Sequence, residues 1–148
     1  FSLAVSGDLV VVSQDARFEY AYPRIGLTGD GGSTYFLPRL VGLRRAKEIA
    51  LLDEPIDPTE AVDLGLATEA VPSDEFEERL DELSSDLATG PTKAYGAIKK
   101  LLSSSFDNAL SEQMAAETDA IARMTYTQDF EKGYSAFFTD EDPDFEGK

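Results

Sequence analysis

The 148-residue sequence contains no cysteine, no histidine and no tryptophan. Without thiols or imidazoles, disulfide staples, the usual zinc sites, cysteine nucleophiles and histidine bases are excluded. Any proton transfer falls to carboxylates, tyrosines, lysines or water. Long apolar runs are also missing. The longest, such as residues 9–13 and 49–52, are far short of the roughly 20 residues that a membrane-spanning helix needs, and no signal-peptide pattern opens the chain. Positive charge is scarce: 13 basic side chains face 29 acidic ones, a formal net charge of -16 that argues against a nucleic-acid partner. What remains is 42% hydrophobic and long enough for one domain with a core of its own.

The charge is unevenly spread. Residues 1–50 hold five acids and six bases, net +1, whereas residues 51–148 hold 24 acids and seven bases, net -17. The front third is expected to face an anionic ligand or a partner, and the acid-rich remainder to face solvent, in the pattern of a protein adapted to high salt or simply of an acidic one. The chain opens on Phe1, and its first five residues read like the middle of an element, so a longer polypeptide is expected.

Residues 8–13, DLVVVS, predict a buried strand, and residues 16–20 a second short one. Between Gly26 and Gly32 four glycines fall in seven positions, a loop through which main chain can approach a ligand closely. A helix follows from Ser33 with Gly42 as its stop, then a second from Arg44 to Leu52. Asp57 and Pro58 open a third, which Gly65 ends, and residues 66–71 return as a strand. Phe76, Leu80, Leu83 and Leu87 form an amphipathic stripe, broken by Gly90-Pro91 before another helix. Asp107 or Asn108 is expected to cap a long helix carrying Leu110, Met114 and Ile121, and Phe130, Tyr134, Phe137 and Phe138 make an aromatic ridge on a last one. These helices carry more apolar surface than a small chain hides, and residues 140–146, with five acids, read as an exposed tail.

Asp30 stands out because it lies in the glycine loop just before a helix. It suits two roles: an N-cap that accepts amides near Ser33, or a general acid/base tuned by burial against apolar walls. Tyr22 either lines the same pocket or fills core, while Glu19 reads as a surface acid on the face opposite Tyr20 and Tyr22. Arg24 and Arg39 are candidate anion contacts. The loop lacks both the Lys-Ser/Thr ending of a P-loop and the glycine spacing of a dinucleotide fingerprint.

Five segments, FSLAVSGDLVVVS, ARFEYAYPRIGLTGDGGSTYFLPRLVG, EPIDPTEAVDLGLATEAV, LATGPTKAYGAIK and DFEKGYSAFFTDEDPDFEGK, together resemble the second half of crotonase (enoyl-CoA hydratase/isomerase) superfamily proteins. The resemblance implies an α/β fold: the C-terminal half of a ββα spiral core over residues 1–89, then an α-helical oligomerisation region over residues 90–148. It further implies an acyl-CoA substrate, a homotrimer or dimer of trimers, a cytoplasmic location, and no metal or redox cofactor, coenzyme A entering as part of the thioester. The two backbone amides of the family's oxyanion hole fall upstream of Phe1.

The two glutamates of the family's hydratases align with Ser2 and Tyr22, neither of which can serve as that base. Asp30 instead matches the acid of several isomerases, including the ring-epoxide isomerase of phenylacetate breakdown. The implied site therefore has Asp30 as the catalytic residue, with Tyr22, Gly29, Gly31 and Tyr35 as substrate contacts. The implied reaction is a double-bond shift through a thioester enolate, with hydration of a 2-enoyl-CoA or a catalytically incomplete assembly subunit as alternatives. An aromatic and a lysine that reach a neighbouring subunit's coenzyme A in the family fall at Ile121 and Asp140, which leaves Lys132 or Lys148 to compensate.

Overall fold

The β-branched pair Val11 and Val12 with Ser13 forms strand β1 (Val11–Ser13), which pairs in parallel with β2 (Glu69–Val71), Val11 opposite Glu69 and Ser13 opposite Val71. These elements belong to a computed structural model that describes residues 1–139 and 141–148. A parallel pair needs a crossover, and here α1 (Ser33–Leu52) and α2 (Pro58–Asp63) supply it. The result is an α/β unit with a small open sheet, followed by a predominantly helical region: α3 (Phe76–Ala88), α4 (Thr92–Ser104), α5 (Leu110–Met124) and α6 (Gln128–Thr139). The chain divides into two compact units, Phe1–Leu80 and Asp81–Lys148.

In the first unit, Val5, Val12, Phe18, Leu37, Ile49 and Leu66 share one buried cluster. The strand expected over residues 8–13 shortens to three residues because Thr68 interrupts the ladder: its Oγ1 accepts the Val10 N–H at 3.0 Å, while its own N–H donates to the Val10 carbonyl at 2.7 Å. The second strand, expected over residues 16–20, reduces to a single antiparallel bridge between Phe18 and Ile56. A turn closed by the Ala16 N–H on the Ser13 carbonyl precedes that bridge, and a left-handed residue, Ala21 (φ 61°), follows it, so no ladder can extend either way. Gly42 (φ 75°) breaks α1 at the expected place, and the Asp57 Oδ1 accepts the Glu60 N–H at 2.8 Å to cap α2.

The second unit differs from expectation at two ends. The cap of α5 falls at Ala109, whose N–H donates to Glu112 Oε2 at 2.9 Å; the Asn108 side chain turns instead to Gln113 Oε1 at 2.9 Å. The acidic tail is exposed as expected at Glu141, Asp142, Asp144 and Glu146, but it is also tied down, for it returns to the first turn of α6. Asp129 is 4% exposed and accepts the N–H groups of Glu146 and Gly147 at 2.8 and 2.9 Å, one on each carboxylate oxygen. Lys132 and Lys148 both bind Glu146, at 2.6 and 2.9 Å. The position aligned with the family's lysine, Asp140, lies outside the described residues.

The Lys132 ammonium, and after it that of Lys148, holds the Glu146 carboxyl down to about 2 from an ordinary value of 4.5. A carboxyl lowered on folding contributes stability that is present above its unfolded value and lost as pH falls toward the folded one. In Glu146→Gln the thermal midpoint should therefore fall less steeply than in the parent between about pH 5 and pH 2, with the tail amides exchanging faster at neutral pH. Identical slopes in the two proteins would remove this clamp from the account.

Candidate functional site

A three-residue turn decides where the aromatic side chains of the YAYP segment go. Ala21 adopts a left-handed conformation (φ 61°), costly for a residue with a Cβ, and the Tyr22 N–H closes the turn on the Tyr20 carbonyl at 2.8 Å. The strain is held by Asp53, itself left-handed (φ 52°), at the end of α1. Its Oδ1 accepts the Ala21 N–H at 2.7 Å, and Arg24 pairs with its other oxygen. The Ala21 N–H is the leading cause that holds the Asp53 carboxyl below the usual carboxylate range, with Arg24 adding to it and burial opposing. Arg24 also binds Glu19 at 2.6 Å, so it serves this clamp, and Glu19 bridges to Arg17 at 2.9 Å.

Past this turn Tyr20 is buried and Tyr22 half-buried, their rings edge to face at 5.0 Å. Phe1 packs edge-on against Tyr20 at 5.5 Å and against Phe18 at 6.1 Å, which seats the start of the chain on the same aromatic floor. That seating brings the buried Ser2 beneath Tyr22, with 2.8 Å between the two hydroxyl oxygens.

The glycine loop folds over this pair. Gly31 (φ 56°) passes so near Ser2 that a Cβ there would lie 3.0 Å from the Ser2 Cβ. A Cβ on Gly29 would run into the hydroxyls of both Tyr20 and Ser33. These close approaches carry Asp30 to Tyr22, whose hydroxyl donates to Asp30 Oδ1. Ser2, Tyr22 and Asp30 thus form one continuous hydrogen-bonded chain.

Asp30 does not cap α1. The helix starts after Gly32 with no side-chain cap, and the Ser33 N–H donates to the Asp30 backbone carbonyl at 2.9 Å, leaving the carboxylate to Tyr22. Nor is Asp30 walled in: it is exposed, so the desolvating apolar wall expected around it is not made by the described residues. Tyr35 stands apart from the hydroxyl chain, 48% exposed, with the Arg39 guanidinium over its ring at 3.6 Å. The structure therefore joins Tyr22 to Asp30 directly, sets Gly29 and Gly31 as the close-packed hinges of the loop, and leaves Tyr35 on the first turn of α1. Ser2, met in the sequence only as a departure from a family glutamate, joins the chain through its hydroxyl.

An apolar hollow of about 210 Å³ between Tyr20 and α1 includes Leu37, Pro38, Leu43 and Ala46 in its wall. It is smaller than the roughly 300–1,000 Å³ of ordinary ligand pockets. Among the described residues no group of three or more Asp or Glu is placed to hold a metal ion.

A sequence profile described as enoyl-CoA hydratase/isomerase matches residues 1–148. A Rhodobacter capsulatus protein named as a probable enoyl-CoA hydratase is 39% identical over 147 residues, which cover 99% of this chain and 57% of that protein. The Escherichia coli 1,2-epoxyphenylacetyl-CoA isomerase is 33% identical over 147 residues, covering 99% of this chain and 56% of its own. The crystal structure of an enoyl-CoA hydratase/isomerase from Cupriavidus metallidurans superposes with a TM-score of 0.92 at 34% identity, covering 99% of this chain and 55% of that one. The chain thus spans a little over half the length of the curated relatives it matches.

Because two hydroxyls occupy the space a Gly29 side chain would need, Gly29→Ala should lower unfolding stability by about 1–3 kcal/mol through overpacking. Denaturant unfolding of the variant beside the parent reads this directly. An unchanged midpoint would mean that the loop is not packed as described.

Proposed function

We propose that this chain, which belongs to the enoyl-CoA hydratase/isomerase family, carries the acid/base group of an acyl-CoA isomerase that shifts a double bond through a thioester enolate. The observation that carries the reading is the isolation of Asp30: one carboxylate reaches the hydroxyl chain, and Ser2 and Tyr22, its other members, hold no carboxylate.

In this mechanism an Asp30 oxygen takes a proton from the carbon between the thioester and the double bond. That C–H pair of electrons moves into the thioester carbonyl to give the dienolate, and the same carboxyl returns the proton at the far end of the conjugated system. Two backbone amides that the family places before the segment aligned with Phe1 would bind the enolate oxygen. The double bond ends conjugated with the carbonyl, and no atom is gained or lost. Hydration asks for a base on a water molecule, and in the family's hydratases two glutamates serve that end. A serine and a tyrosine in those places disfavour it. Residues Tyr22, Gly29, Gly31 and Tyr35 border the acyl thioester in this reading, which also sets the reaction in the cytoplasm.

In the full-length gene product, Asp30→Asn should slow conversion of a 3-enoyl-CoA to its 2-enoyl isomer by about 10²–10⁴-fold while the folded spectrum is kept. Turnover at the parental rate would sink the role of Asp30, and water addition to a 2-enoyl-CoA faster than isomerisation would replace the isomerase reading with a hydratase.

The same reading includes assembly and a high-salt habitat. Exposed apolar side chains on α5 and α6, such as Ile121 at 68% and Phe137 at 82%, support burial between copies in a trimer or dimer of trimers, and the charge of -16 supports a need for screening. Sedimentation and thermal melts from about 0.1 M to about 2 M potassium chloride should show a multimer and a rising midpoint. A monomer at both salt levels defeats the assembly; a flat midpoint defeats the salt adaptation.

A further inference from the structure

Tyr22 was expected to touch substrate, yet its hydroxyl is already committed twice, to Ser2 Oγ at 2.8 Å and to Asp30 Oδ1. A phenol carries one proton, and here it is donated to the carboxylate, so the Ser2 hydroxyl must in turn be the donor to the Tyr22 oxygen. The chain therefore runs in one direction, Ser2 to Tyr22 to Asp30. Ser2 is buried, Tyr22 is half-buried and braced edge-on by Tyr20, and the turn that presents Tyr22 is clamped by Asp53. Asp30, by contrast, is exposed, and no side chain but Tyr22 among the described residues hydrogen-bonds its carboxylate. The Tyr22 contact is what fixes that carboxylate, and it occupies one oxygen only: Oδ2 accepts no hydrogen bond from the described residues.

We propose that Tyr22 is a positioning residue: held by Ser2, it anchors Asp30 through Oδ1 and leaves Oδ2 as the single oxygen presented to the substrate's C–H bonds. The inference rests on the reading of Asp30 as the group that moves the proton. One fixed oxygen meets both ends of a three-carbon system in turn, which is what a suprafacial 1,3-shift asks of its base. A carboxylate free to swing on the loop would spend most of its time out of reach. The same two hydroxyls add no charge to the site, so they orient the base without competing with it for the proton.

The test is steady-state isomerisation of a 3-enoyl-CoA by the full-length gene product. Tyr22→Phe keeps the ring against Tyr20 and deletes the anchor; kcat should fall about tenfold or more with KM changed by less than about twofold. Ser2→Ala leaves the Tyr22–Asp30 bond in place but frees the phenol, and should lower kcat in the same sense by a smaller factor; it also carries the test where the phenylalanine variant fails to fold. In an Asp30→Asn background, Tyr22→Phe should cost nothing further, because the group it positions is gone. An unchanged kcat in both single variants overturns the inference, as does a rise in KM with kcat intact, which would make the Tyr22 hydroxyl, and not only its ring, a substrate contact. Full activity of Asp30→Asn would instead overturn the underlying reading of Asp30, so the two failures are separate.

Discussion

The site depends on one interaction at the end of α1, the Asp53 carboxylate closing on the Ala21 N–H with Arg24 beside it. Without that clamp an alanine has no reason to hold a left-handed conformation, and an extended chain would carry Tyr20 and Tyr22 to the same face. With it, Tyr20 drops into the core and Tyr22 begins a 3₁₀ turn (Tyr22–Ile25) that aims its hydroxyl at Ser2 and Asp30. Local strain at Ala21 is offset by charge-assisted hydrogen bonds made some thirty residues later in the sequence. The position of a hydroxyl at the site is therefore set by the far end of α1, whose first turn lies beside the glycine loop.

The glycine loop answers that placement from the other side. Its glycines matter less for flexibility than for thinness: at Gly29 and Gly31 the neighbours leave no room for a methyl group, and the loop lies flat on Tyr20, Ser33 and Ser2. Ser33 is fully buried where the loop enters α1, so the helix is anchored at the residue where the loop ends. A bulkier loop would lift Asp30 away from Tyr22 and break the hydrogen-bonded chain without altering any of its three members.

Much of the helical framework was legible in the sequence because its signals are local. The Gly42 break, the Asp57-Pro58 start of α2 and the stripe of α3 each depend on residues within a turn or two. The shortened strand, the cap of α5 and the returning tail were not legible, for each is decided by a competing partner: Thr68 on Val10, Gln113 on Asn108, and Asp129 on amides seventeen and eighteen residues away. At the site, an acid inside a glycine loop announces itself. Ser2 shows in the sequence only as the loss of a family glutamate, and its bond to Tyr22, twenty residues on and 2.8 Å away, belongs to the fold. The aim of the Tyr22 hydroxyl was not legible, since it turns on the sign of φ at Ala21, which an alanine in a sequence gives no warning of.

The three members of the hydroxyl chain also constrain one another chemically. Were Ser2 and Tyr22 both glutamates, as in the hydratases this segment resembles, three carboxylates would crowd the space that one bond from Tyr22 to Asp30 now spans, and mutual repulsion would force at least one to take up a proton. An acid on the loop is compatible with neutral donors beneath it and poorly compatible with two further anions. A carboxylate at position 30 and hydroxyls at positions 2 and 22 are therefore parts of one arrangement, in which two neutral donors line up toward a single acceptor.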